Sequence, residues 1–320
     1  MTPTEPALNP EPAPPERVVP QPIYGPLLGV NLTAYTRDGY ERPSVQEAIG
    51  TLAEFGSTAI TLVPTWYMSS SSGNRIEPDE AKSPSDGSLD KVIGWIREAG
   101  MQVILKPHVD VIDDSYRGEI QPADLDQWFE SYKKFIDHYS SFASKHSADL
   151  FVVGTELKTV STETDRWRDV IGGARAKYIG PMTYAANWDE VDQVQFWDYL
   201  DAIGVDAYYE LAPDDGSTPT LKTLVKSWRD IGERLQAASE RWHRPVLLIE
   251  VGYPSQAGGA AKPYEVTSQP ADQALQALAY KATFTALSDA DWLKGISWWS
   301  WRADPSDEED HETGYSPEGK

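Results

Sequence analysis

Continuous apolar runs alternate with amphipathic segments along most of this chain. Runs of aliphatic and β-branched residues bounded by Gly or Pro are typical of strands buried on both faces, as in a parallel sheet. Eight such runs predict strands at residues 27–35, 57–64, 101–107, 148–154, 181–186, 201–207, 246–251 and 295–301.

The segments between these runs have apolar residues at helical spacing. They predict helices at residues 44–55, 86–99, 122–146, 162–177, 221–242 and 272–287, with a short helical stretch near 191–199. Ser44 and Glu47 have the spacing of a capping box at the start of the first helix.

This alternation predicts an α/β protein in which eight parallel strands close into a (β/α)8 TIM barrel. The alternative is an open doubly wound sheet, but no Gly-x-Gly-x-x-Gly motif follows any predicted strand. We expect one catalytic domain over residues 27–320, because barrels of about 250 residues commonly form a single domain.

Residues 1–26 are rich in Pro and poor in apolar side chains, which predicts a disordered tail or an extended linker. They lack the basic start and apolar stretch of a signal peptide. A Pro-rich spacer is typical of the segment that follows a secretion or lipoprotein signal, so we expect a secreted or cell-surface protein. A cytoplasmic protein with a loose tail is the alternative.

Composition narrows the classes of partner. With 28 basic and 50 acidic residues, the net charge of −22 argues against nucleic acid or an anionic membrane. No stretch approaches the roughly 18–20 apolar residues of a membrane span, and the absence of Cys excludes thiol chemistry. The 12 Trp and 16 Tyr offer flat surfaces to sugar rings, although core packing explains most aromatic residues. We expect a monomer that acts on a neutral substrate.

Barrel enzymes carry their chemistry at the carboxyl ends of the strands. Each predicted strand here ends with side chains that can hydrogen-bond or stack. These are Asn31, Tyr35, Trp66, Lys106, His108, Glu156, Asn187, Trp188, Asp206, Tyr208, Glu250, Trp299 and Trp301.

Two of these strands, the fourth and the seventh, run directly into a glutamate. Glu156 follows Phe-Val-Val-Gly-Thr, and Glu250 follows Val-Leu-Leu-Ile. A carboxylate is costly to bury without partners, so a single Glu there fits an ion pair as well as catalysis. Strands three apart on a closed barrel of eight face one another, and two glutamates across a pocket are the minimum apparatus of glycoside hydrolysis. A non-catalytic sugar-binding barrel would need the Trp platforms but not both Glu.

A metal site is the rival chemistry, since His108, Asp110, Asp113 and Asp114 lie close together in the chain. Barrel amidohydrolases need several His at separate strand ends, whereas the other four His fall in predicted helices, a turn or the tail. We therefore expect neither a metal nor an organic cofactor. The acidic run 304–312 predicts a solvated loop, with adventitious Ca²⁺ binding as the alternative.

Four motifs carry a family resemblance: Gly-Thr-Glu after strand four, Ile-Glu-Val-Gly-Tyr after strand seven, Lys-Pro-His after strand three and Trp-Trp-Ser-Trp on strand eight. They resemble clan A glycoside hydrolases, and with the closing residues Gly-Tyr-Ser-Pro-Glu-Gly-Lys the chain is most similar to family 113, the β-mannanases. The resemblance covers about residues 27–320. It implies a retaining, endo-acting hydrolase of β-1,4-mannosides, with Glu156 as general acid/base and Glu250 as nucleophile. Another β-1,4-glycan, such as glucan, glucomannan or xylan, is the alternative substrate.

The resemblance also suggests roles for the other residues at the strand ends. Retention implies carboxyl groups about 5–5.5 Å apart, and Thr155 stands where the clan commonly has an Asn that binds the sugar 2-hydroxyl. Trp299 resembles the Trp under the −1 sugar. Tyr208 either touches the nucleophile or packs at the rim, and Lys106 binds either a sugar hydroxyl or a carboxylate. His108, Asn187, Trp188, Asp206 and Trp66 are the remaining predicted substrate-binding residues.

Overall fold

The computed structural model describes residues 20–303 and 312–320. Most of the predicted Pro-rich tail and nearly all of the acidic run 304–312 therefore lie outside the described residues. The described chain forms β1 (Leu27–Thr33), β2 (Ala59–Val63), β3 (Thr65–Met68), β4 (Gln102–Leu105), β5 (His108–Val111), β6 (Leu150–Thr155), β7 (Met182–Asn187), β8 (Ile203–Asp206), β9 (Val246–Val251) and β10 (Leu293–Trp298).

Six α-helices alternate with these strands in the described part of the chain. They are α1 (Pro43–Glu54), α2 (Asp86–Glu98), α3 (Leu125–Lys145), α4 (Thr164–Arg175), α5 (Leu221–Trp242) and α6 (Gln273–Leu287). Short 3-10 helices cover Gly39–Glu41, Arg117–Glu119 and Trp197–Tyr199. No described helix combines the length and the apolar content needed to cross a membrane.

Eight of the strands close into a parallel barrel in the order β1-β10-β9-β8-β7-β6-β4-β2. The single-domain (β/α)8 architecture predicted from the alternation is confirmed. The other two strands, β3 and β5, pair in parallel with each other. They follow β2 and β4 immediately after Pro64 and Pro107, which end the barrel strands because proline cannot donate to a ladder.

Two local predictions were wrong. Helix α1 begins at Pro43 after Arg42, and no side chain caps it. Because proline supplies a helical φ and has no N–H to satisfy, it begins a helix without the predicted Ser44 capping box. The segment predicted to be helical near 191–199 contains turns and only the 3-10 turn Trp197–Tyr199.

The interior of the barrel changes from apolar to polar along its axis. Its lower part is a small cluster of inward-facing apolar side chains that includes Leu27, Ile104, Leu150 and Leu247. A buried polar layer lies above it. There the side-chain amide of Asn31 donates to the Ser297 hydroxyl at 3.1 Å and to the Ile249 carbonyl at 3.0 Å. The barrel therefore has an apolar lower end and presents polar groups at the carboxyl ends of its strands.

Candidate active site

A cavity of about 480 Å³ lies at the carboxyl ends of the barrel strands. Its lining combines two carboxylates, one guanidinium and several aromatic rings, a mixture suited to a hydroxyl-rich ligand with flat faces. The lining residues are Tyr116, Arg117, Glu156, Asn187, Trp188, Tyr208, Glu250, Tyr264, Trp299 and Tyr315.

Glu250, at the end of β9, is held at both carboxylate oxygens. The hydroxyl of Tyr208 donates to Oε2 at 2.6 Å, and Nζ of Lys106 donates to Oε1. Only 3% of the Glu250 surface is exposed. Bonds from a charged and a polar donor to the two oxygens fix the orientation of the carboxylate.

Lys106 and Asp206 form a buried ion pair beneath Glu250. Nζ of Lys106 lies 3.1 and 3.0 Å from the two carboxylate oxygens of Asp206, and both side chains are fully buried. Burial, followed by the charge of Glu250, raises the pKa of Asp206 well above its usual value, although Lys106 opposes this shift. Of the two alternatives for Lys106, the structure has the carboxylate pairing. Neither residue lines the cavity. Lys106 contacts Glu250 from beneath it, and Asp206 holds Lys106 in place.

Glu156 follows β6 directly and adopts a left-handed backbone conformation, with φ of 52°. Its N–H donates to the Ala185 carbonyl at 2.8 Å, which fixes the backbone at this turn. Oε2 accepts a hydrogen bond of 3.0 Å from Nη1 of Arg117. Burial raises the pKa of Glu156 to about 7; Arg117 opposes that rise and the negative charge of Glu250 adds to it.

Sequence reasoning missed Arg117 and Tyr116, which approach the cavity from the loop after β5. Arg117 donates to Asp110 through Nε, at 3.1 Å, and through Nη2. Asp110, considered above as a metal ligand, is thus the partner of an arginine. The described residues contain no cluster of three or more His, Cys, Asp or Glu that could hold a metal ion. The loop has no periodic pattern, so the sequence carries no signal for these two residues.

His108 and Trp299 stack on each other, with ring centroids 6.1 Å apart and planes 8° apart. His108 is almost completely buried, and its Nε2, 3.6 Å from Oε1 of Glu250, has no hydrogen-bond partner. Burial, with smaller contributions from Arg117 and Lys106, lowers the pKa of His108 well below its usual value, so the ring is neutral. Trp299 lines the cavity, whereas His108 lies behind it.

A second aromatic wall is formed by Trp188 and Tyr264, whose rings stack 6.1 Å apart with planes 8° apart. Asn187 precedes Trp188, and its side-chain oxygen accepts the Trp188 N–H at 2.9 Å. Tyr315, from the closing segment, lies edge-on to Tyr208 with ring centroids 6.1 Å apart. Loops after β7 and β9 and the last residues of the chain thus complete the cavity wall.

Trp66, predicted as a further subsite, does not reach this cavity. On β3 its ring packs against Phe135, His138 and Tyr139 of helix α3, with centroid distances of 5.4, 5.5 and 5.9 Å. Because alternate residues of a strand point to opposite sides, Trp66 faces α3 instead of the barrel mouth. The structure therefore corrects this prediction.

A closed parallel barrel whose mouth holds two glutamates of unlike surroundings among aromatic rings defines a glycoside hydrolase fold and site. The sequence profile of Glycoside Hydrolase Family 113 matches residues 32–320. The chain therefore belongs to glycoside hydrolase family 113. Membership implies a glycan substrate.

Solved structures agree with this assignment. The chain is 26% identical to a family 113 β-mannanase from Alicyclobacillus acidocaldarius in complex with ManMIm, with a TM-score of 0.81 over 91% of this chain and 92% of that one. A second family 113 β-1,4-mannanase has the same fold, at 24% identity and a TM-score of 0.79 over 90% and 92% of the two chains. A β-glucuronidase from Ruminococcus gnavus shares only the fold, at 12% identity and a TM-score of 0.60 over 91% of this chain and 46% of that one. No curated protein sequence matches the chain significantly.

Proposed function

We propose that this chain is a retaining hydrolase of internal β-1,4-mannosidic bonds in mannan, glucomannan or manno-oligosaccharides. Glu250 is the nucleophile and Glu156 the general acid/base. One observation carries the assignment of roles: the two glutamates share a cavity, but their partners differ. Two donors hold the oxygens of Glu250, as suits an anion, whereas Glu156 has a pKa raised to about 7, as suits an acid.

In the first step an oxygen of Glu250 attacks the anomeric carbon and forms an ester. The bond from that carbon to the glycosidic oxygen breaks, and its electron pair leaves with the oxygen, which takes the proton of Glu156. Tyr208 and Lys106 keep the attacking carboxylate in one orientation, which lowers the entropic cost of reaching the transition state.

In the second step water attacks the same carbon from the side of Glu156. Glu156 accepts the proton of that water, the ester bond breaks, and its electron pair returns to Glu250. Formation of the ester removes the negative charge of Glu250, which is one of the influences that raises the pKa of Glu156. The same carboxyl group can then act as a base.

The choice of mannan rests on the similarity to the family 113 β-mannanases and on the character of the cavity. Trp299 and the stacked pair Trp188 and Tyr264 provide flat surfaces for sugar rings. A neutral polysaccharide is not repelled by a protein of net charge −22, as a polyuronate would be.

A glycan panel tests this proposal. We expect the wild type to release reducing sugar from β-mannan and glucomannan but not from cellulose or xylan, and Glu156→Ala and Glu250→Ala to lose this activity. Activity on cellulose or xylan alone would keep the mechanism and refute the mannan assignment. Activity that survives the loss of Glu250 would refute the mechanism.

A further inference from the structure

Arg117 joins the candidate acid/base to a second carboxylate that plays no part in the two chemical steps. One edge of the guanidinium, Nε and Nη2, bonds Asp110, while Nη1 bonds Oε2 of Glu156 at 3.0 Å. The Arg117 side chain is 18% exposed, and those of Asp110 and Glu156 are 27% and 8% exposed. Such a partly buried arginine with two fixed partners has little freedom to reorient.

The position of Asp110 explains why Arg117 stays in place. Asp110 belongs to β5, which pairs with β3 in the small sheet above the barrel. When Glu156 becomes protonated, the guanidinium still has the charge of Asp110 as a partner, so no uncompensated charge is left behind. Arg117 can therefore keep one position while Glu156 gains and loses its proton.

Several other charged or titratable groups face Glu156. The cation among them is Lys106, which directly follows β4 and whose charge favours the ionised form of Glu156. The acidic groups on barrel strands are Glu250 of β9 and Asp206 of β8. Those on connecting segments are Glu190 in the turn after β7, Tyr116 in the loop after β5 and Tyr208 in the loop after β8. Arg117 is the cation in direct contact with the Glu156 carboxylate. Its removal should therefore change the proton affinity of Glu156 more than removal of any of the others.

Retaining hydrolysis sets a specific problem for this carboxyl group, which must donate a proton in the first step and accept one in the second. Arg117 binds Oε2 of Glu156, which leaves Oε1 for the proton of the reaction. We infer that Arg117, anchored by Asp110, is a positioning residue that fixes the Glu156 carboxyl group and favours its ionised form for the second step. This inference rests on the proposed function.

The role predicts opposite effects for two substitutions. Arg117→Met removes the cation, so Glu156 should hold its proton more tightly, and the alkaline limb of kcat/KM should move up by about one pH unit or more. Asp110→Asn leaves the guanidinium charge with Glu156 as its main partner, so the same limb should move down. If Arg117 and Asp110 merely supported the fold, the two substitutions would lower activity without shifting the alkaline limb of kcat/KM in opposite directions.

The second step can be isolated with a dinitrophenyl β-mannobioside, whose leaving group needs no proton. For Arg117→Met we expect a rapid release of dinitrophenolate close to one per active site, followed by a steady rate roughly tenfold or more below that of the wild type. The ester between Glu250 and the sugar should accumulate because the base that activates water is impaired.

Arg175→Met is the matched control. Arg175, on α4, contacts buried Asp201 and is 17% exposed, but it does not line the cavity. The Arg175→Met variant should be less stable than the wild type but have the same alkaline limb of kcat/KM. Thermal unfolding of each variant reports whether that variant is folded. If Arg117→Met is too unstable to assay, Asp110→Asn alone tests the role of Arg117, through the direction in which its alkaline limb of kcat/KM moves.

The outcomes separate the inference from the function it rests on. A wild type that does not cleave the mannobioside refutes the proposed function and this role with it. If the wild type is active but the alkaline limb of kcat/KM is unchanged in Arg117→Met and Asp110→Asn, or moves in the same direction in both, the role of Arg117 is refuted. The proposed function then still stands.

Discussion

The hydroxyl of Tyr208 lies 2.6 Å from Oε2 of Glu250, and both side chains are almost completely buried. Tyr208 follows β8 and Glu250 ends β9, so two adjacent barrel strands fix this bond. Burial, followed by the charge of Glu250, raises the pKa of Tyr208 well above its usual value. The phenol therefore keeps its proton at neutral pH and donates to Glu250.

Tyr208→Phe should lower kcat/KM by about 10- to 100-fold, because a hydrogen bond to a charged group contributes about 1.5–3 kcal/mol. The expected cause is poorer orientation of Glu250, with the protein still folded. Tyr178→Phe is the control, since its hydroxyl donates to the Ala148 carbonyl at 2.6 Å, away from the cavity. Steady-state kinetics of the two variants should show a large loss for Tyr208→Phe alone. Equal losses would mean that Tyr208 acts only on stability.

Lys106→Met should destabilise the protein by roughly 3–5 kcal/mol, because it leaves Asp206 and Glu250 as adjacent buried carboxylates without their cation. Neutralising one of them should recover part of that loss. We therefore expect the double variant Lys106→Met/Asp206→Asn to unfold at a higher urea concentration than Lys106→Met. A double variant no more stable than the single one would contradict the account of this ion pair.

Glu156→Gln should be more stable than the wild type at pH 8. The pKa of Glu156 is about 7 in the folded protein against 4.5 ordinarily. A raised carboxyl pKa means that the folded state binds the proton more tightly than the unfolded state. The resulting contribution to the free energy of unfolding is fully present below about pH 4.5 and is lost as the pH rises to about 7. Glutamine imitates the protonated form at every pH.

The stability difference between Glu156→Gln and the wild type should therefore grow from about pH 4.5 to 7, reaching on the order of 3 kcal/mol. Urea unfolding at pH 4, 6 and 8 measures it. A difference independent of pH, or a wild type that is the more stable protein at pH 8, would refute the raised pKa.

Gly252→Ala should impair catalysis, because a methyl group at this position has no room. Its Cβ would lie 2.9 Å from the Trp299 carbonyl oxygen, 2.9 Å from the Tyr315 ring and 3.1 Å from the Tyr208 ring. Displacing these walls of the cavity should cost about tenfold or more in kcat/KM. Gly94→Ala, on an exposed face of α2 with open space around it, should leave kcat/KM unchanged. Equal kinetics of the two variants would contradict this steric argument.

The architecture could be predicted from the sequence because buried strands and amphipathic helices leave periodic patterns. The two glutamates could be predicted as a pair because each ends an apolar run, where an unpaired carboxylate is costly. Patterns of this kind do not specify which neighbour a strand-end residue will meet. Asp206 was accordingly predicted to contact substrate, and Lys106 to bind either a sugar hydroxyl or a carboxylate, whereas the two pair with each other beneath Glu250.

The missed part of the site comes from loops and from strands beyond the barrel. Arg117, Tyr116 and Tyr264 lie in segments without periodicity, so only the folded chain brings them to the cavity. The small sheet of β3 and β5 turns Trp66 towards α3 and places Asp110 beside Arg117. Neither strand was predicted, because each is short and follows a barrel strand after a single break at proline.

The central claim is the division of roles between Glu156 and Glu250, and azide rescue tests it most directly. Each alanine variant would be incubated with azide and a dinitrophenyl β-mannobioside, and the anomer of the glycosyl azide determined by NMR. In Glu250→Ala azide enters from the vacated nucleophile side and should give the α-azide. In Glu156→Ala it attacks the glycosyl ester and should give the β-azide. The reverse assignment, or no rescue in either variant, would contradict the roles proposed for the two glutamates.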